Sequence, residues 1–428
     1  MEKCKSILSI TFNDYSKGGG GVAKVMIEHQ KMFNDAGYKY ICIFPVKKLI
    51  MHDNIMLFCY WGLLIDGKIN GIYNNSQIKN ILYSLNEEAV IASIHIHHLL
   101  YNKMTMVQEL IDYLDEIPIA FFIHDYYTVC RNYTLLKNDQ YYCGLGGIRS
   151  EKCKDCKYYN HLTIKNLKEN KTFIEHNIDR LHFFAPSEAA RAVWLSYYKS
   201  YSDKITVLRH DNVKKYGNHF RTVLRHSNKI KLGYLGRPAV HKGWNTWLKL
   251  IDSIDHNKYE CYVFNNTDDP GNDKYQHIYV NVTPDNKDAM IKALISNEID
   301  SVLLWSNCPE TYSYTYFESY CADEFILTSN VSGNIAYECR NHHNGFVFKD
   351  ENQLLSALKE SDFFIDSINS YRNNHEKIPI EMVPNTKIVD WVKANENNDS
   401  NKLSKNLKDK HDSILLKVIR NYVLKHNY

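Results

Sequence analysis

Between Ser301 and Phe348, two carboxylates, Glu310 and Glu318, stand eight positions apart. Glu310 follows Val302-Leu303-Leu304-Trp305, a run that reads as a buried strand, so it falls where strand ends and their loops form a ligand crevice. Glu318 is expected at the start of the next helix. Together they could hold two ends of one elongated ligand. A cationic pair precedes them. Arg237 and Lys242, five apart around a turn after the strand Lys229–Leu235, suit a diphosphate, because they neutralise charge that grows as a bond to a leaving phosphate breaks. Glycine supplies a third group. Gly18, Gly19, Gly20 and Gly21 separate a strand (Ser6–Phe12) from a helix carrying Val22, Val25, Met26, Met32 and Phe33, which opens backbone N–H groups and a helix N-terminus to an anion. Histidines end two further strands: His95, His97 and His98 close Ala89–His98, and His124-Asp125 closes Pro118–Asp125. Each group has a bland counterpart, namely solvated charges, a turn, or a core histidine beside a capping aspartate. Without neighbouring carboxylates the alternating histidines do not point to a metal.

These groups need strands to position them, and the chain alternates strand and helix patterns twice. Its 428 residues fit two domains of about 200 residues each. The expected division is an N-terminal domain over 1–210, a polar linker over 211–228, a second α/β domain over 229–370 and a tail over 371–428. In that tail Lys393–Asp412 reads as loose, and Ser413–His426 as an amphipathic helix that packs back on the N-terminal domain or touches a membrane surface. Tyr40–Pro45 is a strand, and Asp66-Gly67 is the turn of a hairpin. A helix is expected over Glu351–Phe364. With 44% hydrophobic and 24% charged residues and a net charge of +3, the chain reads as globular, and nucleic acid is not an indicated partner. No export signal and no apolar run of membrane-spanning length is visible, and the cysteine count is odd, so the expected location is the cytoplasm with thiols reduced.

Taken in order, the glycine loop, His124-Asp125, Gly236-Arg237…Lys242-Gly243 and Glu310-x7-Glu318 resemble retaining GT-B glycosyltransferases of family 4, over about residues 6–350. The resemblance implies a GT-B fold, two Rossmann-like α/β domains facing a cleft. It also implies transfer of a sugar from a nucleotide-diphosphate donor, UDP- rather than GDP-linked, to a carbohydrate or lipid-linked acceptor. Chains of this type often build bacterial surface polysaccharide at the inner face of the membrane. By the same resemblance, Arg237 and Lys242 clamp the diphosphate, Glu318 takes the ribose and Glu310 and His124 act at the donor sugar. The four glycines, His97, Asp125 and Gly333 line the substrates. Ser313, Ser319 and Ser332-Gly333-Asn334 depart from the family pattern, which bears on the donor sugar. No Asp-x-Asp triplet occurs, so no catalytic cofactor is expected. Two rivals stay open: a nucleotide-sugar epimerase or phosphorylase on the same fold, and a catalytically silent partner subunit.

Cys130, Cys143, Cys153 and Cys156 lie within 27 residues, in a segment from Thr128 to Tyr159 with little apolar periodicity. A cleft-side insertion is expected there. Four thiolates could hold a structural zinc ion, with Cys153-x2-Cys156 at knuckle spacing, and free thiols and a disulfide are the alternatives.

Overall fold

The computed structural model describes residues 4–46, 60–145, 151–215, 229–269, 271–374 and 380–396. In chain order, the first half runs β1 (Cys4–Ile10), α1 (Gly21–Asp35), β2 (Tyr38–Pro45), β3 (Trp61–Ile65), β4 (Lys68–Tyr73), α2 (Asn75–Glu88), β5 (Ala89–Ile96), α3 (Met104–Tyr113) and β6 (Ile119–Phe122). A two-residue hairpin, β7 (Leu136–Lys137) and β8 (Tyr141–Tyr142), precedes α4 (His161–Asn177), β9 (Leu181–Ala185), α5 (Glu188–Tyr197) and β10 (Ile205–Val207). The chain then crosses through β11 (Asp211–Lys215) into β12 (Ile230–Leu235), α6 (Trp244–Ser253), β13 (Tyr259–Asn265), β14 (Gln276–Tyr279) and α7 (Ala289–Ser296). Next come β15 (Ser301–Leu303), α8 (Tyr314–Cys321), β16 (Phe325–Ser329), α9 (Asn334–His342) and β17 (Gly345–Phe348). The last elements are α10 (Glu351–Lys359), α11 (Ser361–Asn374), β18 (Ile380–Pro384) and α12 (Lys387–Asn395).

Two sheets result. The first has the order β10-β9-β6-β5-β1-β2-β3-β4, and the second β14-β13-β12-β15-β16-β17. All pairs in the second sheet are parallel, and so are those of the first except at β3, which is antiparallel to both neighbours. Parallel strands are covered on both faces, which is why β16 is buried along its whole length and β5 everywhere but Val90, despite short, unalternating sequences. Asp66 and Gly67 both take positive φ, 49° and 76°, as the tight β3–β4 hairpin requires. Strand order reverses between β1 and β5 in one sheet and between β12 and β15 in the other. Ligand crevices form outside the carboxyl ends at such points. The glycine loop follows β1, His97 follows β5, Arg237 and Lys242 follow β12, and Glu310 follows β15.

Four expectations need correction. The polar stretch 211–228 opens as a strand, since β11 pairs antiparallel with β18, Asp211 opposite Pro384 and Lys215 opposite Ile380. A partner about 170 positions away leaves no local trace, and 216–228 lies outside the described residues. The single helix over Glu351–Phe364 is two, broken at Glu360, whose ψ of 61° ends α10. The chain beyond 371 does not lose regularity, because β18 and α12 follow. Glu318 is the fifth residue of α8, not its start. The return to the first half is made by α12. Ile388, Val389 and Val392 bury themselves against Tyr38, Phe184 and Leu208, each contributing roughly 1.5–3 kcal/mol. Glu396, just past its end, accepts from Lys5 Nζ at 2.5 Å and from the Tyr38 hydroxyl at 2.9 Å. Residues 397–428, including most of Lys393–Asp412 and all of Ser413–His426, lie outside the described residues. So do Met56–Cys59, ahead of β3. Among the described residues no helix is long and apolar enough to cross a membrane.

Candidate active site in the cleft

Lys242 and Glu310 meet on the second-half wall of the cleft. Lys242 ends a 3-10 turn, Val240–Lys242, and its Nζ donates to Glu310 Oε1 at 2.6 Å. Two glycines make this contact possible. Gly243 takes φ 77°, and a Cβ there would stand 2.1 Å from the Trp305 carbonyl oxygen, so only glycine lets the Lys242 turn rest on the loop after β15. Gly333 takes φ 61° and would place a Cβ 2.5 Å from Glu310 N and O. The next residue, Asn334, donates its N–H to Glu310 O at 2.9 Å. Glu310 Oε1 also accepts from Ser306 Oγ at 3.1 Å. Burial would raise the Glu310 carboxyl, but Lys242 and Ser306 outweigh it and hold it below the ordinary range. For Lys242, burial works downward and Glu310 more than reverses it, so the ammonium stays charged.

The facing wall is built from histidines. His124 and Asp125 follow β6 and line, with Gly21, Lys242 and Glu310, a cavity of about 400 Å³. Both Asp125 oxygens are committed, one to His98 Nε2 at 2.6 Å and the other to the Tyr127 N–H at 2.9 Å. Burial raises the Asp125 carboxyl, but these partners, His98 foremost, bring it below its usual value. Because the Leu100 N–H donates to His98 Nδ1, that ring carries its proton on Nε2 and donates it to Asp125. His124 is driven down to about 3, chiefly by burial, so it is neutral at pH 7. The walls touch at Thr311, whose hydroxyl donates to the His124 carbonyl at 2.7 Å and whose own carbonyl accepts from Ser187 Oγ at 2.7 Å.

Of the residues singled out in the sequence, the cavity thus gathers Gly21, His124, Asp125, Lys242, Glu310 and Ser313. Others sit elsewhere. Gly18, Gly19 and Gly20 lead into α1, and a Cβ at Gly19 or Gly20 would meet only open space. Arg237 is exposed on the loop after β12, outside the cavity lining. His97 is 1% exposed, behind His124, and Gly333 supports the Glu310 backbone. Glu318 is 4% exposed and is not part of the lining; burial raises its carboxyl and the charge of Lys24 pulls it back.

Several residues escaped the sequence reading. Lys24, one turn into α1, places Nζ 3.6 Å from the centre of the Tyr314 ring across the cleft. Lys287 donates to Glu28 of the same helix at 2.8 Å. His210 lines the cavity, its ring 5.5 Å from His124 and 4.6 Å from Tyr312. The available signal for His210 was its place beyond a strand's carboxyl end, the same signal that marked His124. Tyr133 and Thr134, also in the lining, belong to the cysteine-bearing segment, which does reach the cleft.

Two groups bear on metals. His29, His95 and His97 each bring a ligand nitrogen within 4.8 Å of the others, all buried. No other such group of three occurs among the described residues, so no three of the four cysteines meet that distance. The thiols are nonetheless neighbours. Burial pushes Cys130 up to about 12, with Cys143, Cys156 and Cys153 adding to the rise, and Cys143 Sγ donates to the Leu135 carbonyl at 3.0 Å.

No family model matches the sequence, and no curated protein does either. Solved structures do match. A glycosyltransferase from Rickettsia africae superposes with a TM-score of 0.51 at 13% identity, over 91% of this chain and 98% of its own. HepE from Anabaena, in complex with UDP, superposes with a TM-score of 0.50 at 10% identity, over 98% of both chains. At such identities the likeness is one of fold, and the fold is GT-B.

Proposed function

We infer that this chain is a glycosyltransferase that moves a sugar from a nucleoside-diphosphate donor to an acceptor hydroxyl, with retention at the anomeric carbon. One observation carries the reading: a Lys242–Glu310 pair at the reversal point of one sheet faces His124 at the reversal point of the other, around one cavity. The sugar's anomeric carbon–oxygen bond to the diphosphate breaks with its electron pair passing to the phosphate oxygen, the acceptor oxygen bonds to that carbon on the same face, and the acceptor's proton passes to the departing phosphate. Lys242 is the cation placed to stabilise that charge. It reaches the phosphate by sharing or leaving Glu310, which then has an oxygen free for a sugar hydroxyl. The first turn of α1, uncapped by any side chain at Gly20, adds N–H donors beside Gly21. Arg237 joins the clamp only if its loop closes over the donor. HepE, with the same fold, was crystallised with UDP, which supports a uridine diphosphate donor. A role in surface polysaccharide or glycoconjugate synthesis, as in family 4, is consistent with that donor class.

The test is a screen of UDP- and GDP-sugars in EDTA, with product analysis. Transfer or slow hydrolysis of one donor in EDTA, with the anomeric configuration kept, is expected. Activity lost in EDTA and restored by magnesium or manganese rejects a clamp made of protein cations. Interconversion of donors without an acceptor identifies an epimerase instead.

A further inference from the structure

We propose that Ser9, Tyr40 and His97 form a buried hydrogen-bonded strut that fixes His124 as its Nδ1–H tautomer, so that His124 offers the cavity an N–H donor. The strut runs inward from the site. His124 Nε2 lies 3.0 Å from His97 Nδ1, His97 Nε2 lies 3.3 Å from the Tyr40 hydroxyl, and Ser9 Oγ donates to Tyr40 Oη at 2.7 Å. Ser9 and Tyr40 are wholly buried and His97 is 1% exposed, so no water competes along this line.

Counting protons fixes its direction. A neutral imidazole has one N–H and one lone pair. Since Ser9 donates to Tyr40, the phenolic proton is free to go to His97 Nε2. That leaves the single His97 proton on Nδ1, donated to His124 Nε2. His124 therefore accepts at Nε2 and carries its own proton on Nδ1, the one ring nitrogen left for the cavity. Burial and the neighbouring histidines keep His97 well below its usual pKa, which maintains the single-proton state the count requires. The rings support the alignment, because Phe122, His97 and His124 stack within 6–17° of parallel.

Two consequences differ from the simplest view of these residues. His97 does not touch substrate; it is a positioning residue, as are Tyr40 and Ser9. His124 presents a donor, so its partner on the ligand is an oxygen acceptor such as a sugar hydroxyl or ring oxygen. The histidine set His29, His95 and His97 also has a different reading from a metal centre. Phe33, Phe122 and Tyr40 surround it, no carboxylate is part of the set, and the His97 nitrogens are already engaged.

Nitrogen-15 NMR of histidine-labelled full-length protein at pH 7.5 tests the strut, with His124 identified by its loss in a His124→Asn variant. The expected result is a neutral Nδ1–H tautomer for His124. It should persist in His97→Asn, whose amide N–H stands where Nδ1–H stood, and give way to Nε2–H in His97→Phe. Tyr40→Phe, a one-oxygen change that is the safer variant for folding, should mix the tautomers. An Nε2–H tautomer in the unaltered protein, one indifferent to both Phe variants, or a stoichiometric metal lost on changing His97 overturns the proposal. The kinetic consequence rests on the glycosyltransferase reading: Tyr40→Phe should lower kcat about tenfold, with KM nearly constant. If no sugar is transferred at all, that reading fails and the tautomer result still stands on its own.

Discussion

The two walls of the cleft solve the same problem, holding polar groups at the end of a buried strand, by opposite means. On the first-half wall, five histidines (His29, His95, His97, His124 and His210) are kept neutral by burial. On the second-half wall a charged pair, Lys242 against Glu310, lines the cavity, and Lys287 of that half reaches Glu28 on α1. Neutral imidazoles can direct hydrogen bonds at hydroxyls, and the carboxylate beside them, Asp125, is already committed to His98 and Tyr127. A charged wall can take a diphosphate.

Acid breaks the contrast most severely. A histidine whose folded pKa is depressed adds stability that is complete above its unfolded value near 6.5 and is lost as pH falls below it. Each contributes a slope of up to about 1.4 kcal/mol per pH unit, and five act together. Thermal melts should therefore drop steeply between pH 7 and pH 5. Hydrogen exchange should quicken in β5 and β6 before β15 and β16. A melting temperature unchanged across that window means the rings are not held neutral.

The charged wall is sharpened by single substitutions. On the proposed function, Lys242→Ala should lower turnover about a hundredfold or more, because it removes the cation proposed to take the leaving phosphate and leaves Glu310 buried without its lysine. Arg237→Ala, at an exposed position outside the cavity, should cost less. Equal losses would show that the Arg237 loop closes over the donor during turnover. Unchanged turnover in Lys242→Ala removes the clamp.

Asp211 sits where the walls are joined, 5% exposed at the start of β11. Burial first, and Glu28 next, raise its carboxyl to about 7. The sign is opposite to that of the histidines. Its stabilising effect is complete below the unfolded pKa near 4 and is lost as pH rises from there through 7, so Asp211→Asn should stabilise the protein at pH 8 by about 1–3 kcal/mol more than at pH 5. Denaturant melts at the two pH values check it; equal shifts at both would contradict a raised carboxyl.

What could be read from the sequence follows the range over which each feature is encoded. The strands after which Gly21, His124, Lys242 and Glu310 fall are marked by continuous apolar runs, and their loops by Gly, Pro and Asn, so the two sheets and these members of the cavity lining were legible. Hidden features depend on distant partners. β11 is polar and becomes a strand only against β18. Lys24 and Lys287 look like ordinary surface lysines until α1 faces the second half. His97 was placed at the cleft because alternation along β5 does not say how deep the strand end lies, and its committed nitrogens come from Tyr40 and His124, 57 and 27 positions away.

The smallest expected effect concerns the cysteines, which lie beside the neutral wall. Cys130, Cys143, Cys153 and Cys156 converge on one segment, and Cys156 N–H bonds Cys153 O at 3.0 Å in a tight turn. Tetrahedral zinc needs four deprotonated sulfurs at about 2.3 Å from the ion. Here burial raises the Cys130 thiol, and the Cys143 thiol donates a hydrogen bond to the Leu135 carbonyl. Zinc would have to break that bond, remove both protons and draw the sulfurs closer. The arrangement therefore predicts four alkylatable thiols and metal well below one ion per chain in untagged protein prepared without chelator. Cys153→Ser should leave the melting temperature nearly unchanged. A molar ratio near one, with the thiols protected and a large loss of stability in Cys153→Ser, would establish instead that this segment is ordered by zinc.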